Sequence, residues 1–116
     1  MAYKTYAAKD IGELLDFLAM MMFASPTFSD KSGYLPHRNI DTVFAALHEG
    51  LVNVRHDVGE IRYGQLVEFS NRMRRHFESD PDDKTEDTLM GRAIIHEMED
   101  LLRAALHDQA HTSPRG

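Results

Sequence analysis

A chain of 116 residues with 19 acidic against 13 basic side chains carries a formal charge of -6, which allows one domain with a modest core and sets a field that repels phosphate backbones. It has no cysteine, so a disulfide framework, a thiolate metal site and a cysteine nucleophile are excluded, and a reducing cytoplasm is suitable. Nucleic acid is a disfavoured partner and a basic protein a favoured one.

Residues 1–9 carry Tyr3 and Tyr6 without a sustained period and read as a short arm packed across the domain. Asp10, with Glu13 three residues later, resembles a capping box. From there Ile11, Leu14, Leu15, Leu18, Met21 and Met22 share one face of a first helix that Pro26 ends. Met20 and Phe23 fall off that face, so the helix end is apolar nearly all round; burial is the expected reason and a contact surface the alternative. The apolar run Phe17 to Ala24 is far short of the roughly 20 residues a membrane span needs. Asp10, Glu13 and Asp16 precede it, unlike the basic start of a signal peptide. No membrane association is expected.

From Ser25 to Arg38 the turn formers Pro26, Ser29, Asp30, Ser32, Gly33 and Pro36 predict a long loop. Its apolar and basic side chains either tether it to the domain or meet a partner. The candidate partner-binding residues are Phe28, Tyr34, Leu35, His37 and Arg38.

The stretch Ile40 to Val58 is the most firmly specified. Ile40, Phe44, Leu47, Leu51, Val54 and Val58 alternate steps of four and three, the spacing of one helix face. Asn39 is placed to cap the first amides, Asp41 complements the dipole, and Gly59 supplies a left-handed stop. Gly50 lies at the edge of the apolar face, where a partner backbone can approach closely.

With only Gly59 between them, the second and third helices are expected to be antiparallel neighbours or sharply bent. The third presents Tyr63, Leu66, Phe69, Ser70, Met73 and Phe77 on one side and ends in the acidic, proline-containing run Glu78 to Asp83. Asp83 or Thr85 then caps a last helix running to about Ala105 or beyond. Its seam is Met90, Ile94, Met98, Leu101 and Ala105, with Ile95, Leu102 and Leu106 on a second ridge. The expected fold is all-α, a four-helix bundle-like single domain over residues 1–110, with a long loop between the first two helices and a disordered tail over 111–116.

Candidate chemistry is sparse. His96 and Glu97 open a run resembling the metalloprotease H-E-x-x-H, but Asp100 stands where the second histidine must be. His107 and His111 fall four apart in a fraying tail, and no glutamate precedes a histidine by three residues as di-iron bundles require. The acids from Asp80 to Asp87 lack the central glycine and terminal glutamate of a calcium loop. No metal and no cofactor is expected. Arg72, Arg74, Arg75 and His76 form a short basic cluster that reads as a solvated surface. Glu97 falls inside the apolar arc of the last helix, and Arg62 is similarly placed on the third, so the two are candidates for a partly buried ion pair.

These features point to a small, acidic, non-enzymatic cytoplasmic protein that binds a basic protein partner, as immunity proteins and antitoxins neutralise theirs. The competing reading is a small-molecule or metal site within the bundle, catalytic or simply binding, that uses Glu97 with Arg62 and nearby histidines. A homo-oligomer formed through the methionine-rich end of the first helix is compatible with both.

Overall fold

The computed structural model describes residues 7–29 and 38–111. They form four helices that pack against one another as a single all-α domain: α1 (Ile11–Ala24), α2 (Ile40–Val58), α3 (Glu60–Ser79) and α4 (Glu86–His111). No strand occurs among the described residues. The helices start and stop where the local chemistry directs. Asp10 accepts the Glu13 amide at 2.8 Å, and Glu13 reaches back to the amide of Lys9. At α2 the box is reciprocal: Asn39 accepts from the Thr42 amide while the Thr42 hydroxyl accepts from the Asn39 amide, each at 3.0 Å. Together these satisfy amides that a helix start leaves unpaired.

Five of the six stepped residues of α2 are buried and Ile40 is partly so, which puts α2 at the centre of the core. Around it lie Leu14, Leu18 and Met21 of α1, Leu66, Met73 and Phe77 of α3, and Ile95, Met98 and Leu102 of α4. Gly50 faces Ala8 and Leu14: an added Cβ would sit 3.2 Å from Leu14 Cδ1 and 3.4 Å from the Ala8 Cβ. Ala8 is buried, and its carbonyl accepts from Asn53 Nδ2 at 2.9 Å. The short arm expected at residues 1–9 therefore packs on α2 at this point, while residues 1–6 lie outside the described part, as do residues 112–116 of the expected tail.

Gly59, at φ 90°, turns the chain between α2 and α3 in one residue. Arg74 of α3 pairs with Asp41 near the start of α2, and Arg55 near its end meets Glu60, so the two helices run antiparallel. α3 packs most extensively on α4. Phe77 lies against Gly91 and Arg62 against Asp108, which again makes neighbours of opposite direction.

The α3–α4 corner is built on Asp80, which ends α3 and is buried. Its carboxylate accepts from the amides of Lys84, Thr85 and Thr88 and from the Thr88 hydroxyl, the last at 2.7 Å. Thr85 adds the expected cap by accepting the Asp87 amide at 3.1 Å. Burial alone would raise the Asp80 pKa, but the Thr88 hydroxyl and the three amides outweigh it and hold the carboxyl well below its usual range.

A carboxyl depressed in the folded state is protonated first in the unfolded chain. Its stabilisation is therefore complete above the ordinary aspartate value of about 3.9 and is lost as pH falls toward the folded value. Asp80→Asn is expected to lower Tm by roughly 4 °C at neutral pH, the scale of a lost cap in a domain of this size. The gap from the native chain should hold above about pH 4 and narrow progressively as pH falls further. Melting curves from neutral to acid pH check this, and a gap that stays constant on acidification removes Asp80 as its cause.

Candidate functional site

The end of α1 and the α3–α4 corner face each other across an open cleft of about 760 Å³. Phe23, Ser25, Pro26 and Thr27 form one wall and Pro81, Asp82 and Asp83 the other, with Ser29 and Arg38 also lining it. Arg92 of α4 ties the walls together. Its Nε donates to Ser25 Oγ at 2.9 Å and a terminal nitrogen to the Ser25 carbonyl at 3.3 Å, and it lies 3.9 Å from an Asp83 oxygen. Ser25 Oγ in turn donates to the Met22 carbonyl at 3.1 Å. That hydroxyl is engaged on both sides, and among the described residues no imidazole or carboxylate bonds to it as the base of an activated nucleophile would.

Phe23 is 91% exposed at the lip of this cleft. Burial was the expectation for the methionine-rich helix end, and for Phe23 the structure overturns it. The neighbouring Met20 and Met22 are partly buried, but none of the described elements covers the Phe23 side. Beside it, Asp82 is exposed with no hydrogen-bond or ionic partner among the described residues. The cleft thus joins an uncovered aromatic ring to carboxylates, a combination that accommodates apolar and cationic groups together.

The loop residues expected to bind a partner divide. Phe28 is fully buried and stands edge-on to Phe44 and Phe77, at ring separations of 5.7 and 5.4 Å. It tethers the loop and cannot present its ring to a partner. Arg38 donates Nε to the Phe28 carbonyl at 3.1 Å and lines the cleft. Tyr34, Leu35 and His37 lie outside the described residues.

The expected ion pair does not form. Arg62 pairs with Asp108, and Glu97 is exposed in a shallow groove with Gln65, Phe69, Asp100 and Leu101. The reason is that the apolar arc of α4 is wider than the part its neighbours cover, so the edge carrying Glu97 faces outward. Half of the basic cluster on α3 is engaged at home: Arg74 meets Asp41 and Glu78, and His76 Nδ1 lies 2.8 Å from Asp87, while Arg72 stacks on Phe69. His96 is exposed and 3.1 Å from Glu99. Among the described residues no three histidine or carboxylate side chains are grouped to hold a metal ion, and no helix is long and apolar enough to cross a membrane.

Reading the sequence alone missed the role of Arg92 as a strut and of Asp80 as the corner's anchor, since both act between segments far apart in the chain. The exposure of Phe23 did have a signal, namely its position off the face shared by Leu14, Leu18 and Met21. Comparison with protein-family models, curated proteins and solved structures finds no match to this chain.

Proposed function

We propose that this chain is a non-enzymatic binding protein that engages a basic protein partner, in the manner of a small acidic neutraliser, through the cleft between α1 and the α3–α4 corner. The observation that carries this reading is Phe23, a large aromatic side chain almost wholly in water beside the carboxylates of Asp82 and Asp83. Binding hot spots are typically aromatic anchors ringed by polar groups, and carboxylates at the rim steer a cationic partner into place. The formal charge of -6 acts in the same direction at longer range.

A panel of basic proteins and matched acidic ones, titrated against the labelled chain at about 50 and 200 mM salt, tests this over the range where such attraction is screened. Saturable binding confined to basic proteins and weakened by salt is expected. Phe23→Asp should weaken it by roughly thirtyfold, the effect of losing a hot-spot aromatic. Absence of saturable binding across the panel, or binding indifferent to Phe23→Asp, overturns the proposal.

A further inference from the structure

On the face away from the cleft wall, α4 carries a second stripe that no helix covers. Met90, Ala93, Glu97 and Ala104 follow one another at helical spacing and are all exposed. Beside them lies the outer edge of α3, where Phe69 is half-buried and Arg72 holds its guanidinium 5.8 Å above the Phe69 ring. The groove between the two helices has an apolar floor, Phe69 and Leu101, edged by Gln65, Glu97 and Asp100, and the exposed Ala93 and Ala104 further along α4 are small enough to let another backbone come near. Its charges are unmatched: Glu97 and Asp100 have no hydrogen-bond or ionic partner, and Arg72 has no carboxylate, among the described residues.

We propose that this α3–α4 face is the contact between two copies of the chain in a symmetric dimer. The argument is complementarity in register. Because Phe77 lies against Gly91 and Arg62 against Asp108, the antiparallel pairing sets Arg72 level with Glu97 across the groove. A two-fold axis along the groove lays α3 of one copy over α4 of the other without shifting that level. Arg72 of each subunit then meets Glu97 and Asp100 of the other, and the Phe69 and Leu101 floors face each other. An isologous contact demands this reciprocity. The stripe from Met90 to Ala104 is about 20 Å long at the helical rise, so two helices' breadth buries about 400 Å² on each subunit, the size of a weak, reversible contact and not of an obligate one. This surface is distinct from the cleft beside Phe23, and the proposal does not depend on that site.

Sedimentation equilibrium of the full chain from about 1 to 300 µM spans the affinity such a contact would have. A reversible monomer–dimer equilibrium is expected. Arg72→Glu should weaken it roughly a hundredfold, because two symmetry-related pairs turn repulsive, and the double variant Glu97→Arg with Asp100→Arg should do the same. Mixing the two variants in equal amounts restores both pairs in a heterodimer, so dimerisation should return to the native affinity. The altered residues are exposed, and circular dichroism confirms that each variant is folded. A native chain that stays monomeric throughout overturns the proposal. So does a dimer that the charge reversals leave intact, or a mixture that fails to reassociate.

Discussion

Phe28→Ala is expected to reduce the stability of the domain by about 3–5 kcal/mol, the range for emptying a buried aromatic site. The ring is enclosed between Phe44 and Phe77, so its removal strands two aromatic edges around one cavity. It also loosens the backbone at Phe28, whose carbonyl accepts from Arg38 Nε at 3.1 Å. Phe28 sits at φ 62°, a left-handed conformation that costs a residue with a Cβ roughly 1–2 kcal/mol. The burial of its ring more than offsets that strain. Phe28→Gly should consequently be no less stable than Phe28→Ala, although glycine ordinarily loses to alanine. Urea unfolding of the three proteins measures both effects, and a cost under about 1 kcal/mol would show that the ring contributes as a surface group does.

Gly91→Ala should destabilise by about 2 kcal/mol, although alanine is the better helix former by about 1 kcal/mol. A Cβ at Gly91 would lie 2.4, 2.7 and 2.8 Å from three carbon atoms of the Phe77 ring. That ring is buried and wedged against Phe28, so it has nowhere to go without opening the core. The control is Gly64→Ala on α3, where a Cβ meets nothing within 4 Å and the change should stabilise by about 0.5–1 kcal/mol. The same chemical substitution thus carries opposite signs on two helices. Shifts in the denaturation midpoint at constant m-value decide it. A stabilising Gly91→Ala would mean that α3 and α4 can part at no cost.

What could be read from the amino acids followed the range of the interaction involved. The span of α2 was legible because Asn39, Asp41 and Gly59 act within a turn of the helix they bound, and its buried face because the six stepped side chains repeat at the helical period. The Arg62–Glu97 pairing failed for the opposite reason. A helical wheel gives the direction of a side chain but not its height, and Arg62 stands level with Asp108. That is eleven residues, or about 16 Å of helix, beyond Glu97. The direction given for Glu97 was also too far inward, since an apolar arc shows how much of a helix neighbours can cover and not how much they do. Phe28 belonged to a loop rich in turn formers, and nothing local signals that its ring closes the gap between Phe44 and Phe77. Phe23 is the converse case, an aromatic residue in an apolar run whose neighbours turn inward and leave it outside.

The concentration of stabilising bonds on Asp80 divides the acidic corner into a keystone and a free neighbour. Because Lys84, Thr85 and Thr88 all hang on that single carboxylate, and Asp83 is committed to Arg92, Asp82 is released from any duty to keep the two helices joined. Its charge can be altered, or reversed, while the joint survives, so selection could retune whom this end of the molecule meets without renegotiating how the chain folds.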